Sequence, residues 1–347
     1  MRATMLTSVR GIELRHVADP VIHFPADAVV TVTASCVCGS DLHGYRGHAA
    51  TVFPRRIGHE FIGVVSETGS EVSTVSAGDL VIAPFAISDG TCDHCRNGVT
   101  TSCAQGSFWG APDRRGVLAD GAQAEQVRVP LADGTLVRVG APVDDQLMPD
   151  LLALSDVMGT GHHAAASAGV RPGCSVVVVG DGAVGLCAVL ASARLGAGRV
   201  IAMSRHGRRQ KLATEFGATD IIAERGQDGA ARVMDLLAGV GADCVLECVG
   251  TQDSFDQAVA VTRPGGMIGC VGAPFYDLPA ARLAGRNIGL RGGVAPVRAY
   301  LPALLADVLA GVIRPGKVFD LELPLADVAE AYRAMDERRA IKVLLRP

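Results

Sequence analysis

The sequence predicts an α/β protein of two parts, a barrel-like β domain followed by a doubly wound parallel sheet. Three observations carry this. The 347 residues are enough for about two domains at about 150 residues each. The first 150 residues break into short β-branched runs separated by Gly- and Pro-containing turns. From Ser175 onward, apolar strand-like runs alternate with helical ones, the pattern of parallel strands covered on both faces. Hydrophobic residues make up 49% of the chain and aromatics only 4%, so Ala, Val and Leu supply a core suited to helices and buried strands.

In chain order, Ala28 to Ala34 alternates Val and Thr, Phe61 to Thr68 and Leu80 to Phe85 are apolar and β-branched, and Glu125 to Val129 reads as a further strand. Ser175 to Val179 then predicts a strand, Ala183 to Leu195 a helix, Arg199 to Met203 a strand and Arg208 to Phe216 a helix. A short strand at Ile221 to Ala223 and a helix near Ala230 to Leu237 follow. Next come strands at Cys244 to Cys248 and Met267 to Val271 with a helix between them. After Pro296 the pattern gives a helix at Leu301 to Ala310, a break at Pro315-Gly316 and a last strand at Lys342 to Leu345.

The 32 Lys and Arg against 36 Asp and Glu give a net charge of −4, which argues against nucleic acid as a partner. Lys211, Lys317 and Lys342 are the only lysines, a bias expected of a GC-rich genome. The charged start from Met1 to Pro20 holds no apolar stretch of signal-peptide length, so the chain is expected in the cytoplasm. No membrane span is expected either, because Val176 to Ala193 is broken by Gly180, Asp181, Gly182 and Gly185. In that setting ten cysteines read as thiols and metal ligands. Cys36 and Cys38 form one group and Cys92, Cys95 and Cys103 another, while Cys174, Cys187, Cys244, Cys248 and Cys270 read as small core residues.

The run Val176 to Val179 leads straight into Gly180-Asp181-Gly182-Ala183-Val184-Gly185 and then a helix, the Gly-x-Gly-x-x-Gly turn of a Rossmann dinucleotide site. The first glycine allows the turn, the second lets backbone approach a pyrophosphate, and the third lets strand and helix pack closely. Gly180, Gly182, Ala183, Val184 and Gly185 are therefore cofactor-binding candidates. The second strand ends at Ser204-Arg205-His206-Gly207-Arg208-Arg209, where an NAD site would carry a carboxylate for the adenosine ribose. Ser204 can donate to a 2′-phosphate, and Arg205 and Arg209 can pair with it, so NADP(H) is favoured over NAD(H).

Cys38-Gly39-Ser40-Asp41-Leu42-His43 is followed by Gly58-His59-Glu60, a thiolate and an imidazole from separate segments that suit zinc. Taken with the dinucleotide turn behind them, these motifs resemble the zinc-dependent medium-chain alcohol dehydrogenases over essentially the whole chain. The resemblance implies a GroES-like β-barrel catalytic domain over residues 1–155 and 297–347, and a Rossmann domain over 156–296. It also implies a third zinc ligand at Asp156, within Leu154-Ser155-Asp156-Val157-Met158-Gly159-Thr160-Gly161. Singly, Cys38 reads as a core thiol, His59 as a histidine at a strand start and Asp156 as a helix cap; their order and flanks together favour the metal. By the same resemblance Glu60 sits behind the metal or exchanges onto it, and Asp41 orients His59.

Family members carry a second, structural zinc on four cysteines spaced C-x2-C-x2-C-x7-C, and the matching positions are Asp89, Cys92, Cys95 and Cys103. A carboxylate can ligate zinc, though less tightly than a fourth thiolate, and His94 inside the lobe reads as exposed. Two zinc ions per chain are expected. The implied reaction is hydride transfer from an alcohol, activated by the catalytic zinc, to the nicotinamide. Ser40 resembles the hydroxyl that relays the proton, His43 its terminal base, Thr160 a residue beneath the ring, and Lys342 the basic residue near the pyrophosphate.

Phe85 matches a pocket-lining position, with Phe108, Trp109 and Met158 as further candidates, so a hydrophobic alcohol, ketone or aldehyde is the expected small-molecule substrate. A homodimer or homotetramer is implied. The competing readings are a zinc-free quinone or enoyl reductase on the same fold and a non-catalytic NADPH-binding protein. The first lacks the Cys38, His59 and Asp156 set, and the second has no use for Ser40 and His43.

Overall fold

The central strand Ala28–Val37 pairs antiparallel with Phe61–Thr68, Gln126–Val129 and Lys342–Arg346. It anchors a seven-stranded sheet that also contains Leu80–Ala83, Val137–Arg138 and Phe319–Pro324. In this computed structural model, residues 1–48, 51–273 and 276–347 are described. The Ala28–Val37 strand is buried along nearly its whole length because it is covered on both faces. On one side lie Val30, Phe61, Ala122 and Trp109, on the other Val37, Leu42, Tyr45 and Tyr332. The strand runs three residues beyond the sequence expectation because Ser35, Cys36 and Val37 find partners in the C-terminal strand, which local pattern does not reveal.

The second part is a six-stranded, all-parallel sheet. Its spatial order is Asp220–Ile222, Arg199–Met203, Ser175–Val179, Ala242–Glu247, Thr262–Cys270 and Gly289–Gly292. Numbered along the chain this is 3-2-1-4-5-6, the doubly wound order whose direction of winding reverses beside Ser175–Val179. Ser175–Val179 and Arg199–Met203 have the bounds the apolar runs indicate. Beyond the sequence expectations, Gly289–Gly292 adds a sixth strand, and Val157–Ser167 forms a helix on the segment that carries Thr160. Glycine, three histidines or serines and short alanine runs gave that helix little amphipathic signal, so packing decides it.

Contacts divide the chain into Met1–Asp156 with Pro296–Pro347, and Val157–Ala295. Asp156 and Pro296 thus group with the first unit, one residue from the boundaries the sequence suggests. Among the described residues, no helix is long and apolar enough to cross a membrane.

Candidate active site and metal centres

Three neighbouring strand ends assemble the first centre. Antiparallel pairing sets Phe61 opposite Ser35, and Val343 opposite Val37. The residues just outside those registers, Cys38, His59, Glu60 and Lys342, are thereby gathered at one end of the sheet. Asp156 joins them from the segment after the Met148–Ala153 helix, held in place by a hydrogen bond from the Phe85 amide to the Ser155 carbonyl. One ligand atom each from Cys38, His59, Glu60 and Asp156 lies within 4.8 Å of all the others.

Within this group the Cys38 Sγ is 3.6 Å, and the His59 Nε2 3.5 Å, from Asp156 Oδ2. The other imidazole nitrogen, Nδ1, lies 3.3 Å from Asp41 Oδ1, leaving Nε2 to face the group. Asp41 is itself fixed: its Oδ2 accepts from the Cys38 amide at 2.9 Å and from the Gln123 side-chain amide at 3.4 Å. Gln123 in turn accepts from the Tyr332 hydroxyl at 3.1 Å. Neither Gln123 nor Tyr332 was singled out from sequence, because nothing local distinguishes a fully buried glutamine from an exposed one.

Burial drives the Cys38 thiol pKa up, reinforced by Glu60. Burial also opposes the charged imidazole of His59, but Asp41, Cys38 and Asp156 outweigh it and raise its pKa well above the ordinary value. Thiol, imidazole and carboxylate crowded at these distances are a donor set that a divalent zinc ion satisfies. Glu60 Oε2 is a further buried oxygen that has no protein partner among the described residues.

The remaining sequence candidates fall around this group. Ser40 is exposed at the start of the Asp41–Tyr45 helix, makes no cap with its side chain, and places Oγ 3.4 Å from His59 Nε2. His43, one turn along the same helix, is partly buried. Lys342 is 1% exposed and donates to Glu60 Oε1 at 2.6 Å and to the Val37 carbonyl at 3.3 Å. Phe85 stands edge-on to His59 with ring centroids 6.4 Å apart, and Phe108 stacks on Phe85. Trp109 does not join them. It packs against Phe61 in the barrel core and donates to the Pro84 carbonyl, because successive side chains after the Ser107–Phe108 strand point to opposite faces.

Asp89, Cys92, Cys95 and Cys103 form the second group, with their ligand atoms again within 4.8 Å of one another. Asp89 Oδ1 accepts from the Thr91 and Cys92 amides, and its own amide points at Cys103 Sγ from 3.2 Å. Burial opposes the charge on Asp89, but those amides and the neighbouring thiols hold its pKa down at about 2. His94 is exposed and outside the group. One carboxylate and three sulfurs converging on one point are a donor set that suits zinc.

In the other unit, the turn after Ser175–Val179 depends on its glycines. Gly180 has φ +120, which only glycine adopts without strain, and a Cβ on Gly185 would lie 2.0 Å from the Gly180 carbonyl oxygen. A Cβ on Gly182 would meet nothing within 4 Å, so the turn leaves open space at that position. Ser204 is buried, Arg209 partly buried and Arg205 exposed. Ser204 Oγ donates to Asp181 Oδ2 at 3.0 Å, and Arg209 donates to Asp181 Oδ1 at 3.2 Å. Sequence reasoning passed over Asp181, although a charged residue inside the glycine turn was the available signal. Thr160 is buried on the Val157–Ser167 helix of the same unit.

Comparison with known proteins agrees with this architecture. The alcohol dehydrogenase GroES-like domain family matches residues 25–140, and the zinc-binding dehydrogenase family matches residues 183–308. A probable zinc-binding alcohol dehydrogenase of Mycobacterium tuberculosis is 35% identical, with alignment over 100% of this chain and 89% of that one. Among solved structures, the alcohol dehydrogenase TADH from Thermus sp. ATN1 superposes with a TM-score of 0.90 at 33% identity, covering 100% and 99% of the two chains. A Sinorhizobium meliloti protein crystallised bound to NADP gives 0.83 at 25% identity, covering 100% and 99%. With both domain families matched in order and these donor groups in place, the chain belongs to the zinc-dependent medium-chain alcohol dehydrogenases.

Proposed function

We propose that this oxidoreductase transfers hydride between a hydrophobic alcohol and its ketone or aldehyde, with NADP(H) preferred over NAD(H) as the carrier. One observation carries the reading: Cys38, His59 and Asp156 converge on one point beside the exposed hydroxyl of Ser40. Zinc held by those three residues would supply a Lewis acid for the substrate oxygen, and the nicotinamide would supply or accept the hydride. The second zinc, on Asp89, Cys92, Cys95 and Cys103, would brace the lobe.

The chain's own residues handle orientation and the proton. Asp41 fixes the His59 ring from behind, and Gln123 and Tyr332 fix Asp41. Ser40 Oγ, 3.4 Å from His59 Nε2, would take a proton from the substrate hydroxyl. Burial, with Arg46 and His48, lowers the His43 pKa, which keeps the imidazole neutral and able to accept that proton in turn. Lys342 balances the charge of Glu60 behind the metal group, the role we assign it in place of a pyrophosphate contact. Phe85 and Phe108 offer an apolar wall that favours a hydrophobic substrate over a polyol.

Gly180, Gly182, Ala183, Val184 and Gly185 would receive the pyrophosphate, Thr160 would underlie the nicotinamide, and Ser204, Arg205 and Arg209 would face the adenosine ribose. By family resemblance we assign the chain to the cytoplasm as a homodimer or homotetramer. The decisive experiment measures zinc per chain and screens NADP+ and NAD+ against primary, secondary and polyol substrates. Turnover of apolar alcohols with two zinc ions per chain and a higher kcat/KM for NADP+ is expected. Turnover without zinc would favour a quinone or enoyl reductase instead.

A further inference from the structure

The groups that the sequence offers to a 2′-phosphate are already engaged by an anion of the protein itself. Asp181, between the first two glycines of the turn, is 7% exposed. One carboxylate oxygen accepts from Ser204 Oγ at 3.0 Å, and the other from an Arg209 guanidinium nitrogen at 3.2 Å. The same Arg209 nitrogen also donates to the Asp181 carbonyl oxygen at 3.2 Å. Burial alone would push this carboxyl's pKa up, but Arg209, Ser204 and Arg225 hold it below the usual carboxylate value, so it is an anion at neutral pH. The absence of an acidic residue at the end of Arg199–Met203 is thus offset by a carboxylate that reaches the same spot from the neighbouring strand's turn.

This carboxylate treats the two cofactors differently. A ribose 2′-hydroxyl can donate a hydrogen bond to it. A 2′-phosphate can only draw Ser204 and Arg209 away from it or share them at short range, where two anions repel. We propose that Asp181 is a specificity-determining residue that competes with the 2′-phosphate for Ser204 and Arg209, and so holds the preference for NADP(H) well below what those donors would otherwise give. The inference rests on the reading of this turn as the dinucleotide site, and adds to it an opposing group and a direction.

The test is direct binding to the full-length, zinc-loaded protein, followed by isothermal titration calorimetry with adenosine 2′,5′-bisphosphate and with 5′-AMP. Asp181→Asn keeps the size of the side chain and removes its charge, and Asp181→Ser reads the same quantity should the amide disturb the turn. Both variants should raise the affinity ratio of bisphosphate to monophosphate about tenfold, equivalent to about 1.4 kcal/mol. Arg209→Ala should lower that ratio. An unchanged or lower ratio in the Asp181 variants, with circular dichroism spectra like the wild type, would overturn the proposal and make Asp181 a residue that merely orients its two partners. The wild-type ratio separately judges the NADP(H) reading: a wild type that binds 5′-AMP more tightly defeats that reading, while a rise in the variants still supports Asp181 as competitor. Binding of neither nucleotide by any of the proteins overturns both.

Discussion

Lys342 Nζ and Glu60 Oε1 lie 2.6 Å apart with side chains 1% and 0% exposed, a buried ion pair joining the C-terminal strand to the residue after His59. Burial raises the Glu60 pKa, and the neighbouring ammonium opposes that rise. Removing one partner of such a pair leaves an uncompensated buried charge, which costs about 3–5 kcal/mol. Lys342→Met should therefore unfold at markedly lower urea concentration than wild type, and the double variant with Glu60→Gln should regain much of the loss. Equilibrium denaturation of the four proteins in the cycle checks this.

Cys38→Ala and Asp156→Ala should each remove one zinc per chain and abolish alcohol oxidation, while nucleotide binding by the Val157–Ala295 unit persists. Asp41→Asn should weaken the same zinc by about 10–100-fold, because Asp41 orients the His59 ring without being in the ligand group. Metal analysis after dialysis against a graded chelator, with turnover measured in parallel, separates the effects. Full activity in Asp156→Ala would refute its assignment as a ligand.

Asp89→Cys should hold the lobe zinc at least as tightly as wild type, since a thiolate is the softer ligand. The gain is expected to be modest, because Asp89 also accepts from the Thr91 and Cys92 amides, a duty sulfur performs less well. A net gain of about 1 kcal/mol would raise Tm by about 1–2 °C in a chain of 347 residues. Two zinc ions per chain by mass spectrometry, with unchanged turnover, is the expected accompaniment. One zinc in both proteins would count against a metal-bearing lobe.

Ser204→Asp would set a second carboxylate beside Asp181, whose Oδ2 is 3.0 Å from the present Ser204 hydroxyl. The ratio of kcat/KM for NADP+ over NAD+ should fall at least about tenfold, or about 1.4 kcal/mol. Arg205→Ala should weaken NADP+ alone, because NAD+ offers this exposed guanidinium no phosphate to pair with. A wild type that prefers NAD+, or a ratio indifferent to both changes, would mean that these residues form only a solvated helix start.

What sequence alone determined is local or short-range in origin. The apolar run Ser175–Val179 and the glycines after it specify their strand and turn, since a positive φ at Gly180 and the close approach at Gly185 can be met only by glycine. The spacing of Cys92, Cys95 and Cys103 likewise marks a lobe that a few turns suffice to close. Other relationships were settled only in three dimensions. Lys342 meets Glu60 across 282 positions because both border the Ala28–Val37 strand, and Tyr332 steadies Asp41 through Gln123 by the same long-range packing. Asp181 faces Ser204 because two parallel strands set their ends side by side. Hydrophobic periodicity reports which face of an element is buried, but the register between strands decides which polar side chains meet, and that register is fixed by the packing of the whole sheet.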